Sequence, residues 1–358
     1  MVYRTTSSGT SSVLVFAGAG YLLLVRALRY RRQQRNEDLY QRGIRAKNKE
    51  EDETTLLDPE IARQIQYNVA VFEFPFVYRL SLEFALFRTY AIPSISKLLQ
   101  DTRQFELQSG KRYDDTDLLI GEMTQNPFES KRSIEAVQRI NAIHNLYSKK
   151  ISNDDMKYVL SVFVLEPKKW IDRYEWRSLS CYEYEALFAT WRKIGHDFGI
   201  EDIPETVQDF EAWSEAYEAK HMIYAESNVV IAKSTIALFL SLVPKFLHEF
   251  GHRAAYCLMD LRLRMAMSFP DPPPWLQSAL DTLLSIRKWT LRCLSLPRPK
   301  LLIARRSPFA AGPNGKLCPR FHVYKKTYAE GYETAKLGTA PSGALMTSCP
   351  KWTSRPMK

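Results

Sequence analysis

The chain has 358 residues, 45% hydrophobic and 12% aromatic, and a formal net charge of +10, enough apolar material for a substantial core in one large or two small domains. Residues 297–358 carry twelve Lys or Arg against only Glu330 and Glu333, so the whole excess sits there; the neutral body excludes a nucleic-acid groove, which needs cations clustered on the folded surface. Five scattered cysteines without a CxxC exclude a disulfide framework and fit a reducing compartment.

In chain order, the first element is SSVLVFAGAGYLLLVRALRY, residues 11–30, apolar as far as Arg26. As a helix at ~1.5 Å per residue it covers roughly 27–30 Å, the low end for a bilayer crossing. Arg26 and Arg29 can snorkel at its boundary. A cleaved signal peptide is the weaker reading, because the charges follow the apolar run and no small-x-small site ends it. Arg26, Arg29, Arg31, Arg32 and Arg35 after the run outnumber Arg4 before it, which leaves the main domain in the cytosol. The endoplasmic reticulum is the natural membrane for such an anchor, though no address motif is present.

Residues 31–56 are highly charged and predict a juxtamembrane linker or an exposed helix. Asp58-Pro59-Glu60 marks a helix start: an N-cap, a proline at the first helical position and an acid in the first turn. From there to residue 296 the apolar spacing is helical, as in Ile134, Val137, Ile140 and Ile143. Breaks fall at Pro93, Asn126-Pro127, Ser152–Asp154, Gly199, Pro204 and Pro270–Pro274. The expectation is an all-α protein with one multi-helix domain of about ten helices over 57–296. Residues 297–358, rich in Pro, Gly, Ser and Lys, predict a basic, weakly ordered tail, either solvated or lying near anionic lipid heads.

Three patterns carry candidate chemistry. RINAIHNLY, residues 139–147, puts His144 on the face shared by Val137, Ile140 and Tyr147, so the imidazole points into the core. A hydrogen-bonded core histidine and a metal ligand both satisfy that pattern. KRYDDT, residues 111–116, sets Arg112 and Thr116 one turn apart if it is helical; otherwise it is a surface turn with a salt bridge to Asp114 or Asp115. HEFGH, residues 248–252, has the spacing of a zinc-protease ligand pair and base, but no third ligand of the usual kind follows before His322 and Glu330. No cysteine sits in the Gly-rich setting of a thiolate haem site, and phosphate-cradle and GxSxG signatures are absent.

The chain resembles the rubber-oxygenase (latex-clearing-protein) catalytic superfamily, and within it the ER-bound fungal oxygenases that cleave a prenyl chain in mycophenolic acid biosynthesis. The resemblance runs from the anchor to about residue 300. It is carried by VRALRY (25–30), EFPF (73–76), FALFRTYAIPSISKLL (84–99), KRYDDTDLLIGEM (111–123), RINAIH (139–144), EPKKWIDRYEWRSLS (166–180), FATWRKIGHDFGI (188–200) and LLSIRKWTLRCLSLPRP (283–299). It implies a globin-like helical core holding haem b, with the proximal histidine at His144 and a distal polar pair at Arg112 and Thr116. Arg139 also falls on a family arginine. It lies about 140° round the helix from His144 at ~100° per residue, so a supporting position or a haem propionate is expected. Rubber-cleaving members place a distal lysine ligand just before the threonine, where this chain has Asp115, so the sixth iron position is expected open or water-bound.

The implied function is a single-pass ER-membrane haem oxygenase, acting with O2 on a lipophilic prenylated small molecule and cleaving a C=C bond. A membrane-anchored helical scaffold and a zinc hydrolase built on HEFGH are the competing readings.

Overall fold

A computed structural model describes residues 8–47, 57–324 and 327–338. Residues 48–56 of the expected linker and 339–358 of the expected tail lie outside the described residues. Fifteen α-helices account for most of the rest: α1 Ser8–Arg29, α2 Arg31–Lys47, α3 Pro59–Asn68, α4 Pro75–Thr89, α5 Pro93–Asp101, α6 Gln104–Leu107, α7 Ser109–Gln125, α8 Lys131–Asn145, α9 Asn153–Tyr174, α10 Cys181–Asp197, α11 Val207–His221, α12 Glu226–Phe239, α13 His248–Cys257, α14 Leu261–Ala266 and α15 Pro274–Leu294. There is no strand among the described residues, only a single bridge between Leu317 and Tyr332. The all-α expectation holds, and 57–296 holds thirteen α-helices against the expected ten, short α6 and α14 among them.

The local signals act where the sequence places them. Asp58 accepts from the Ile61 amide and Pro59 opens α3. Ser152 caps α9 through the Asp155 amide at 3.0 Å. Ser180 and Glu183 form a reciprocal capping box on α10. Each cap satisfies amides that the first helical turn leaves without partners.

α4 and α9 form the central pair, with Phe84 against Trp170 at 4.5 Å between ring centroids. At their crossing Arg88 forks onto Glu218 of α11 at 2.5 and 2.6 Å and also reaches Asp260, the N-cap of α14. Tyr158 of α9 donates to the same Glu218 at 2.9 Å. Burial alone would raise the Glu218 carboxyl, and Arg88 with Tyr158 more than offsets it, so the group sits below its usual range.

α1 is long and apolar enough to cross a membrane, and most of its surface is exposed. The reading of 31–56 as a linker gives way over 31–47 to α2. This helix is held to the body, with Asn36 fully buried and donating to Glu183 at 3.0 Å.

Part of the segment expected as a weakly ordered tail packs on the body. Residues 303–324 and 327–338 are largely irregular yet run as a strap across α7 and α8. Arg305, Arg306 and Ser307 are buried there. Arg306 pairs with Asp114 and, at 2.5 Å, with Asp117; Arg305 reaches the Gln125 carbonyl at 2.9 Å. The cause is the acidic outer face of α7, which the tail's cations neutralise. At Gly338, with φ +78°, a Cβ would lie 2.5 Å from Ile143 of α8, so the strap meets that helix where only glycine fits.

Candidate active site

Helices α4, α5, α7, α8, α9 and α12 enclose a cavity of about 300 Å³. Its walls are mainly apolar, among them Leu86, Leu119, Ile143, Val159, Phe163 and Trp191. Phe163 and Trp191 stack at 4.6 Å to form one firm side. KRYDDT is helical, inside α7, so the condition for Arg112 and Thr116 to share a face is met, and both line the cavity together with His144.

His144 lies in the last turn of α8, flanked on the cavity side by Ile140 and Tyr147. Its Nδ1 is sealed from solvent and has no hydrogen-bond partner, although buried polar atoms ordinarily have one. Burial, and then the nearby Arg112 charge, push its pKa down to about 4. The imidazole is therefore neutral at physiological pH, the form that binds a metal. No described group satisfies its Nδ1. Arg112 is half-buried, lines the cavity and makes no ion pair with a described carboxylate. The Thr116 hydroxyl donates to the Arg112 carbonyl at 3.0 Å and must switch partner to donate to a ligand.

Asp115 and Arg139 are not brought into this group. Asp115 is buried but turned outward, accepting from Lys111 at 2.6 Å and from Tyr328 of the strap. Asp115 does not line the cavity. Arg139 does not line the cavity either. It is fully buried and donates from Nε to the Leu337 carbonyl at 2.6 Å, and so holds the strap.

The zinc reading of HEFGH fails. His248 binds the Val243 carbonyl at 2.9 Å, Glu249 pairs with Arg253 at 3.0 Å, and no cluster of three or more His, Cys, Asp or Glu suited to a metal exists among the described residues. The short motif is an exposed helix start.

A second polar zone in the cavity was not legible from sequence. Tyr113 donates to Glu83 at 2.6 Å and accepts from Arg79 at 2.5 Å, with Asp117 beside them. Burial outweighs Arg79 and raises the Glu83 carboxyl. Arg79 and Glu83 stand four residues apart on α4, a spacing that reads as an ordinary surface pair; only the position of α7 turns them inward.

Residues 84–290 match the family described as ER-bound oxygenase mpaB/B'/Rubber oxygenase, catalytic domain. The chain belongs to this family. Among curated proteins it is 38% identical over 306 residues to ER-bound oxygenase mpaB' of Penicillium brevicompactum, covering 81% of this chain and 71% of that one. It is 36% identical over 313 residues to ER-bound oxygenase mpaB of the same fungus, with 82% and 72% covered. Against ER-bound oxygenase mpaB of Penicillium roqueforti (strain FM164) the identity is 37% over 267 residues, with 70% and 88% covered. Membership makes the chain an oxidoreductase of the oxygenase type. The matched segment holds α7, α8 and nearly all of the cavity wall; Arg79, Leu82 and Glu83 precede it and the strap follows it.

Proposed function

We propose that this oxygenase depends on haem b bound at His144, is held by α1 in the endoplasmic reticulum membrane with its catalytic domain in the cytosol, and uses O2 to cleave a C=C bond in an isoprenoid side chain. The observation that carries the reading is the orphaned, neutral His144 beside an unpaired Arg112 in an apolar cavity. A bare metal ion needs several protein ligands, and the described residues offer no such cluster. Haem brings its own ring nitrogens and asks for one axial ligand, so this donor set fits it.

His144 would supply that ligand, and Arg112 would compensate a propionate or polarise O2. The bound group would supply the redox-active iron that lets O2 react with an alkene. The remaining work belongs to the chain. The aliphatic and aromatic walls hold a prenyl chain and exclude water. Thr116 offers a hydroxyl beside Arg112. Scission of an alkene by O2 into two carbonyl ends balances without an external reductant. Membrane attachment has a physical use, because a prenylated substrate partitions into lipid, where an anchored enzyme meets it.

The test is purification of the full chain in detergent and reconstitution with haem. The parent is expected to show a Soret band near ~400 nm and to shorten a prenylated phenol when supplied with O2. His144→Ala is expected to lose both. A His144→Ala protein with an undiminished band and undiminished cleavage overturns the reading.

A further inference from the structure

α15 is an amphipathic helix turned inside out relative to the rest of the body. Trp275, Leu283, Ile286 and Trp289 are 58–63% exposed. At ~100° per residue they fall within an arc of about 120°, one continuous stripe. Its charges lie off that stripe, and three of the four are engaged with the body: Asp281 accepts from Arg173 at 3.3 Å, Arg287 binds Glu175 at 2.8 Å and Lys288 reaches the Arg173 carbonyl at 3.3 Å, while Arg292 is exposed. The opposite side, through Leu276, Leu284 and Leu291, packs on the protein. An apolar stripe of this size on an otherwise charged surface marks a contact with something apolar.

What covers it is indicated by its neighbour. α1 lies against the C-terminal end of α15: Tyr21 donates to the Leu294 carbonyl at 2.7 Å and Arg29 to the Ser295 carbonyl at 3.2 Å, while Arg32 of α2 reaches the Arg298 carbonyl at 2.9 Å. Tyr21 is eight residues, or ~12 Å along the helix, inside the apolar segment from Arg29. The end of α15 is therefore held between the level of Tyr21, inside the apolar segment, and that of Arg29, where α1 passes from lipid into headgroups. Exposed Leu294, Leu296, Leu301 and Leu302 continue the apolar surface, and Arg298 and Lys300 beside them suit anionic headgroups. Two tryptophans on the stripe match the aromatic preference of the membrane boundary.

We infer that α15 lies in the plane of the bilayer surface next to α1, with the Trp275–Leu283–Ile286–Trp289 stripe inserted among the lipids of the cytosolic leaflet. The inference rests on α1 being a membrane anchor. It gives the domain a second contact, so that the body is held flat on the membrane at a fixed orientation instead of swinging from a single helix.

The experiment uses the full chain reconstituted into vesicles of phosphatidylcholine with about one fifth phosphatidylinositol, prepared with and without bromine on the acyl chains. Flotation of the vesicles reads the α1 anchor; bromine quenching of tryptophan fluorescence reads α15. Trp170, Trp176 and Trp191 are buried and far less accessible to the quencher. Bromine is expected to dim the parent, and Trp275→Phe with Trp289→Phe is expected to abolish more than half of that dimming. Leu283→Glu with Ile286→Glu, both at exposed positions, is expected to float as well as the parent with the quenching reduced. A chain that floats but is quenched equally before and after the two tryptophan replacements overturns the inference and leaves the anchor standing. Bromine-insensitive fluorescence together with a concentration-dependent dimer assigns the stripe to a second copy and likewise overturns it. Failure to float removes the anchor and the inference with it, while haem binding, read separately by absorbance, is untouched.

Discussion

The two faces of α7 are built by opposite rules. Toward the cavity, Arg112 lacks a carboxylate partner and His144 across from it leaves a ring nitrogen unsatisfied. Away from the cavity, Asp114 pairs with Arg306 through one oxygen while the other lacks a partner, Asp115 pairs with Lys111 and Tyr328, and Glu122 with Arg132, Ser307 and Tyr332; Tyr113 and Asp117, at the second polar zone of the cavity, are partnered too. Burying a polar group without a partner costs free energy. A fold tolerates that cost where a ligand later supplies the missing interaction. On the proposed function the inner face serves the ligand and the outer face the fold, although the outer face has more charge.

The largest expected effect comes from the inner face. His144→Ala is expected to abolish haem retention and turnover while the far-ultraviolet circular dichroism stays that of the parent, because no described protein group depends on that Nδ1. Loss of helicity in the variant would instead make His144 a structural residue and erase the contrast between the two faces. A pH dependence belongs to the same group. An imidazole with its pKa pushed down from 6.5 to about 4 binds fewer protons folded than unfolded. Stability from this site is thus complete above pH 6.5 and declines as the pH falls toward 4. Thermal melts of parent and His144→Gln between those limits check it: the parent is expected to lose the extra increment and the variant to lack it.

Next in size is the outer face. Arg306→Ala leaves the buried Asp114 carboxylate uncompensated, and a loss of about 3 kcal/mol is expected in chemical denaturation, with the isolated haem spectrum retained. A change within ~0.5 kcal/mol would show the strap to be dispensable to the fold. Arg112→Leu reverses the pattern: stability within ~0.5 kcal/mol of the parent, and haem affinity lowered about tenfold to a hundredfold in titration. The smallest effect is expected from Tyr328→Phe, which removes one neutral-donor bond to Asp115 and costs about 1 kcal/mol, with cleavage rate unchanged.

Much of the molecule was readable from local chemistry. The apolar run of α1, the caps at Asp58 and Ser152, and the helical spacing through α8 are written in neighbouring residues, so the all-α class and the inward direction of His144 follow from period and propensity alone. Resemblance in KRYDDT and RINAIH singled out Arg112, Thr116 and His144, and the fold brings all three to one cavity. Asp115 and Arg139 stay outside the cavity, and for Arg139 the ~140° of helix rotation between it and His144 already implied a supporting position.

What only the tertiary structure decided involves partners far apart in the chain. Arg306 and Asp114 meet across 192 residues, so a basic, proline-rich segment that looks loose in isolation becomes a strap once α7 presents its acids. Glu83 and Tyr113, 30 residues apart, join in the cavity only because α4 and α7 face one another. Sequence alone determined which helices form and which of their faces are apolar, because a few adjacent residues set those energies. Which charges find partners, and which stay unpaired for a ligand, was decided by how distant helices pack, a quantity no short stretch of chain contains.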